Sequence, residues 1–335
     1  MGIAPVLCLL LSGGLPHYRV TMLPEDLEAL YGDPESGILY PAHVSCPYGE
    51  SDCLIGFRGT TALYLPKKSW RMDLEDPGMA GGRRINLDAH YRDLTMMRNH
   101  LAMELVRRMG LPAPATRHVT LSINDEAMGV YLETERVDTD FLVRNGLPDG
   151  SVFKARKDTA RFVSYLSGVD PALGFESRTD SEWQLPELGG LIGAVCLGED
   201  LRGLFDVELL VGNMAANLAM MESDAPAKNY YLHLGSDGVW RFFPWDHDAS
   251  FGNDWRGAFH PDYVDYVFAP HMQVFTPFIV MMGDDGLMES FRGRLLESAG
   301  IMALELVESL DSVRTAIRDD VYMDPLRQGS PEDFE

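Results

Sequence analysis

Between Ser223 and Asp254 the chain reads SDAPAKNYYLHLGSDGVWRFFPWDHDASFGND, and four of its residues have types and spacing that could do chemistry. Asp224 and Asn229 stand as D-x-x-x-x-N directly after an apolar, helix-periodic segment. Asp246 and Asp248 close a hydrophobic run that reads as a strand. A carboxylate that takes a hydroxyl proton, then an amide, then carboxylates for a hard divalent cation is the order of parts used in phosphoryl transfer. All must converge on one γ-phosphate, and consecutive loops ending in these residues suit that need. Plainer readings exist for each part. Asp224 and Asn229 also fit a turn cap on the strand NYYLHL, and Asp246 with Asp248 fits a salt-bridged or helix-capping pair.

An anionic donor needs cations from elsewhere in the chain. FRGTTALYLPKKSWRMDL places Arg58 beside Gly59 and the small Thr60 and Thr61, then Lys67, Lys68 and Arg71 around a strand start. A loop of glycine and small residues lets backbone N–H groups approach phosphates. A lysine on the next strand could neutralise phosphate charge, with Glu104 on the following helix as its ion-pair partner. Lys154 in SVFKARK competes for that role. Taken singly, each lysine also reads as a solvated edge-strand charge.

These side chains need a frame. YRVTM, GILYPAHVSC, CLIGFRG and SWRMDLE alternate as strands do, and LPEDLEALYG opens a helix near Pro24. From Thr95 to Met109, Met97, Leu101, Leu105 and Met109 recur every four residues, and Ala102 and Val106 widen the stripe. Gly110, Pro112 and Pro114 end that helix. TRHVTLSIN and MGVYLETERV read as strands of a hairpin joined by NDEA, and PGMAGGRR as a turn or loop. FDVELLVGNMAANLAMMES reads as a buried helix, and the chain after Phe275 as helical. The expected fold is α+β in two lobes. Residues 1–150 form a sheet-rich N-lobe with a central helix. Residues 151–335 form a helix-rich C-lobe carrying the catalytic and metal-binding loops, with ligands in the cleft between.

Bulk properties narrow the choices. The net charge is -23 over 335 residues, with a pI near 4.7, which argues against nucleic acid as a main partner. A nucleotide fits only where metal or local Lys and Arg offset that field. No run is long and apolar enough for a membrane span, and MGIAPVLCLLLSGG reads as a buried strand rather than a signal peptide. Four cysteines without C-x-x-C spacing argue against a zinc site. Cys46 and Cys53, flanking CPYGESDC, are either a local disulfide or, more simply, two thiols. His90, His100 and His118 do not cluster in sequence, and His247 reads as a supporting or exposed histidine. G-x-S-x-G, H-E-x-x-H and dinucleotide-binding fingerprints are absent.

FRGTTALYLPKKSWRMDL, DLTMMRNHLAMELVRRMGLPAP, GVYLETERVDTDFL, VFKA, KNYYLH and WRFFPWDHDASFG follow one another in the order found in one family. The chain resembles the CotH family of atypical, spore-coat-type protein kinases, from roughly Pro16 to the final helices. RNHLAMELVRRMGLPAP and FFPWDHDASFG are the most specific motifs. The resemblance implies a divergent two-lobe protein-kinase-like fold and ATP with Mg2+ or Mn2+, Ca2+ being an option. It implies phosphorylation of Ser or Thr on a protein substrate, and a bacterial secreted, surface or spore-coat context. Carried over by residue, Asp224 matches the catalytic Asp, Asn229 the polar ligand after it, and Asp246 and Asp248 the metal-binding acids. Trp240 and Tyr131 would flank the adenine, Lys68 is the chosen phosphate lysine, and Arg98 and Asn99 are structural or cleft-lining. Gly59-Thr60-Thr61-Ala62 replaces a turn with Asn in the family, and no basic residue stands immediately beside Asp224. Two alternatives keep their place: another ATP-dependent transfer on the same fold (AMPylation or glutamylation), and a non-catalytic, calcium-binding coat or surface module.

Overall fold

The computed structural model describes residues 14–76, 82–156, 158–162, 171–179, 185–226, 228–260 and 275–335. The N-terminal apolar run, Cys8 and most of PGMAGGRR lie outside these residues. Seven strands, β1 (His17–Met22), β2 (Tyr40–Cys46), β3 (Gly49–Arg58), β4 (Ser69–Leu74), β5 (Arg84–Asp88), β6 (Thr116–Ile123) and β7 (Glu126–Thr134), close into a barrel. Its order is β1-β2-β3-β4-β5-β7-β6. Neighbours are antiparallel except β1 and β6, which pair in parallel from His17 opposite Thr120. Alternation sends Tyr18, Val20 and Met22 of β1 inward, with Trp70, Met72 and Val119, while the intervening residues face out. The expected mostly antiparallel sheet is therefore closed on itself, which leaves no open edge. At the β6–β7 hairpin Asn124 and Asp125 have φ of 51° and 66°, a two-residue turn that suits Asn and Asp.

Helix α1 (Pro24–Gly32) leads from β1 to β2. Cys46 lies opposite Gly49, and Cys53 opposite Ala42, so the two cysteines are out of register and remain free thiols. Burial in the barrel raises the Cys53 thiol to about 12. Helix α2 (Arg98–Arg108) buries Leu101, Ala102, Leu105 and Val106. It begins later than periodicity suggests because the Asp93 carboxylate takes the N–H groups of Thr95 (3.1 Å) and Arg98 (2.9 Å). A short helix α3 (Thr139–Arg144) follows the barrel.

The second half also contains a sheet. Strands β8 (Gly150–Ala155), β9 (Phe175–Ser177), β10 (Tyr230–Gly235) and β11 (Trp240–Pro244) are ordered β11-β10-β8-β9. Helices α4 (Leu185–Cys196), α5 (Val207–Ala219), α6 (Thr276–Met282) and α7 (Asp285–Ile301) share a core with Phe153, Leu232 and Phe242 of this sheet. Asp206 caps α5 by accepting the Leu209 N–H. The helix is apolar on most sides, and it is buried through most of its length.

After α8 (Val307–Tyr322) the chain returns to the barrel. There the Asp324 carboxylate accepts from the Lys67 ammonium (2.5 Å) and the Val130 N–H (2.8 Å), with both charged side chains buried. Lys67 also donates to the Val130 carbonyl. Gly129, at φ +89°, makes room: a Cβ there would lie 2.1 Å from the Asp324 carboxyl.

Candidate functional site

The hairpin register brings the acids together. Tyr230, the first residue of β10, is opposite Pro244, the last of β11, so the loop entering the hairpin and the loop leaving it lie side by side. Backbone bonds stitch them: Ser223 N–H to Ala249 O (2.9 Å) and Phe251 N–H to Met220 O (2.7 Å). Asn229 and Asp246 both have left-handed backbones, φ 60° and 57°. The Asn229 amide nitrogen donates to the Asp224 carboxylate (3.0 Å) and faces the Asp246 carbonyl (3.4 Å). The other Asp224 oxygen meets the Lys228 ammonium at 3.2 Å.

Burial raises the Asp224 carboxyl to about 6; Lys228 opposes the rise, and Asp248 and Asp246 add to it. Two residues earlier, Glu222 is buried at the end of the α5 turn, and one of its oxygens accepts the Asp224 N–H at 2.8 Å. Burial, followed by the charges of Asp224, Asp248 and Asp246, holds the Glu222 carboxyl well above the ordinary carboxylate range.

Asp246, Asp248 and His90 each present a ligand atom within 4.8 Å of the others. His90 comes from the loop after β5, and its Nδ1 lies 3.5 Å from the Asp248 carboxylate. Burial works against a protonated His90, but Asp248, with Asp246 and Asp93, outweighs it and raises the imidazole pKa. Burial likewise raises Asp248; His90 opposes this and Asp246 reinforces it. Two carboxylates converging beside one imidazole is a donor set that suits a divalent cation, hard oxygens first. Asn99 and His247 brace the loop. The Asn99 side-chain oxygen accepts the His247 N–H (2.9 Å), and the His247 ring engages the Trp245 carbonyl and the Asn217 carboxamide, each at 2.9 Å. Both ring nitrogens are thus occupied, and burial lowers the ring to about 4.

Cations gather around Trp245. The Arg58 guanidinium stands 5.6 Å from the Trp245 ring centre while ion-paired to Asp88. The Lys154 ammonium stands 4.6 Å from the same ring and 5.8 Å from that of Tyr231. Among the described residues no carboxylate lies within ion-pair distance of it. Burial draws Lys154 well below an ordinary lysine, Arg58 and Arg178 push the same way, and Asp246 pulls back. Arg178 is paired with Glu176 at 2.8 Å, and its buried Nε has no hydrogen-bond partner among the described residues.

Several expected site residues stand elsewhere. Lys68 donates to the Leu63 carbonyl (2.6 Å), tying down the short turn after β3, and it is Lys154 whose charge Asp246 supports. Glu104 pairs with Arg108 (2.7 Å) and Ser309 (2.8 Å) rather than with a lysine. Tyr131 points into the barrel, its hydroxyl on the Trp70 indole nitrogen at 3.3 Å, and offers no open face to a base. Trp240 starts β11 at the end away from Asp246, 6% exposed and packed near Phe153, and is equally closed. Lys228 was legible as the basic residue four places after Asp224. Glu222, Arg178 and Trp245 carry no spacing signal, and His90 joins Asp248 across 158 residues.

The structure is thus a mixed α+β protein that gathers an acid cluster, Asp246, Asp248 and His90, and sets two cations over the ring of the neighbouring Trp245. The family described as CotH kinase protein matches residues 55–335, and the chain belongs to it. It is 28% identical to the inner spore coat protein H of Bacillus subtilis (strain 168), over 97% of this chain and 92% of that protein. Among solved structures, the Helicobacter pylori proinflammatory kinase CtkA aligns with 78% of this chain and 93% of its own. The identity is 8% and the TM-score 0.29. No helix among the described residues is long and apolar enough to cross a membrane.

Proposed function

We propose that the protein is a divalent-metal- and ATP-dependent kinase with a divergent two-lobe kinase-like fold, acting on Ser or Thr of a protein substrate. The observation that carries this reading is the convergence of Asp224, Asp246, Asp248 and His90, with Arg58 and Lys154 close enough to feel the Asp246 charge. Asp246, Asp248 and His90 would hold Mg2+ or Mn2+, with the Asn229 carboxamide beside them. A bound cation supplies charge neutralisation at the transferring phosphoryl oxygens. Asp224 accepts the proton of the acceptor hydroxyl, and Lys228 and Asn229 hold its carboxylate in place. Lys154 and Arg58 balance the donor's phosphates, and the Trp245 ring packs against both cations.

The test uses ATP labelled at the α or the γ position, supplied with Mg2+ or Mn2+ and a candidate acceptor protein. Label transferred from the γ position and lost in Asp246→Asn, together with at least tenfold weaker metal-dependent nucleotide binding by calorimetry, is the expected result. Transfer from the α position means nucleotidylation instead. Calcium binding with no nucleotide affinity means a non-catalytic coat or surface module.

A further inference from the structure

We infer that Glu222 is a positioning residue for the proton-accepting Asp224: its buried carboxyl accepts the Asp224 N–H and sets where the Asp224 side chain points. The inference rests on the kinase reading above. Glu222 is 1% exposed, and its backbone N–H is itself held by Asn217 O at 2.9 Å at the end of α5. The residue between them, Ser223, is fixed from the opposite side, its N–H and hydroxyl both bonding the Ala249 carbonyl (2.9 and 3.1 Å). The tripeptide is therefore clamped at each of its three residues, and the clamp on Asp224 is a side chain rather than the backbone.

A buried carboxyl beside three other acids is an expensive way to satisfy one N–H, because a buried acid must shed its charge or find a counter-ion. Its second oxygen has no partner among the described residues. Neither oxygen contacts a cation among the described residues, so no ion pair there explains the residue. The geometry it does explain is the loop between helix and hairpin: Glu222 makes the only side-chain hydrogen bond, among the described residues, to the Asp224 backbone. A misplacement of about 1 Å at a reacting group can cost about 100-fold in rate.

The experiment compares Glu222→Leu, which removes the acceptor but suits a buried site, with Glu222→Gln, which keeps a neutral acceptor. Near-ultraviolet circular dichroism establishes that each is folded. Phosphoryl transfer should fall about 100-fold in kcat for Glu222→Leu at unchanged nucleotide KM. Glu222→Gln should stay within about threefold of the parent, with the acidic limb of its pH profile in place. In parallel, amide hydrogen exchange at Asp224 should be slow in the parent and Glu222→Gln and fast in Glu222→Leu. Undiminished kcat in Glu222→Leu, or equal loss in both variants, overturns the inference. So does an Asp224 amide that exchanges equally fast in all three. A parent that transfers no phosphate defeats the kinase reading, and the exchange data alone then decide whether the contact exists.

Discussion

At the scale of single residues, Asp224, the proposed proton acceptor, links the proposed activity to stability. Its carboxyl sits near 6 in the folded chain against about 3.8 when free, because burial and neighbouring acids disfavour its charge. The unfolded chain releases that proton first as pH rises, so the folded state loses stability progressively between about 3.8 and 6 and is fully penalised above. Roughly two pKa units correspond to about 3 kcal/mol. Asp224→Asn, measured in chelator, should therefore be more stable than the parent at pH 7.5 by up to about 3 kcal/mol. It should show no difference below pH 4 and should abolish transfer. Urea melts at the two pH values check this; a variant less stable at pH 7.5 contradicts the stated environment. The parent's rate should likewise drop as pH falls through about 6, since the proton acceptor must be ionised. The residues that cluster here were partly legible: Asp224, Asn229, Asp246 and Asp248 fall in consecutive loops, which local spacing records. His90 and Lys154 were harder, because their nearness to Asp248 and Asp246 arises from tertiary contact. Lys68 was preferred over Lys154 in sequence, and its commitment to a local carbonyl has no sequence signature.

At the scale of elements, strand alternation was readable and barrel closure was not. β1 through β4 read as strands from their period, but closure depends on parallel pairing of β1 with β6, about a hundred residues apart, and no local pattern encodes it. The sheet of the second half was only half visible, as the β10–β11 hairpin, because β9 has only three residues and both β8 and β9 are separated from the hairpin in sequence. The Lys67–Asp324 pair is an element-scale tie between the chain after α8 and the segment entering β4, both of them bonded to Val130 of β7. Removing one member of a buried pair strands the other charge and typically costs about 3–5 kcal/mol. Asp324→Ala should lower stability by that much in urea unfolding. Lys67→Met combined with Asp324→Leu should recover most of the loss. If the double variant is no better than the single, packing against Gly129 and not charge is what Asp324 supplies.

At the scale of the whole molecule, the charge of -23 sits on a chain with only 28 Lys and Arg, and several of these are drawn into one seam. Arg58, Arg178 and Lys154 lie within reach of one another there. The remaining surface repels itself, and salt screens such repulsion over a Debye length of about 10 Å at 0.1 M. Raising sodium chloride from 10 to 200 mM should lift Tm; each 1 kcal/mol gained is worth roughly 2 °C in a chain of this size. A flat response in differential scanning calorimetry would show that local pairing already neutralises the field. The Asp324 tie has one more consequence, which concerns order of synthesis. A ribosome that has made every barrel strand and all the acids has still not delivered the partner for Lys67, whose ammonium lies inside the finished protein. The earlier-made part must wait until Asp324 emerges. A polypeptide interrupted short of Asp324 would possess every residue of the acid cluster yet lack the stopper that pins Lys67 to the barrel.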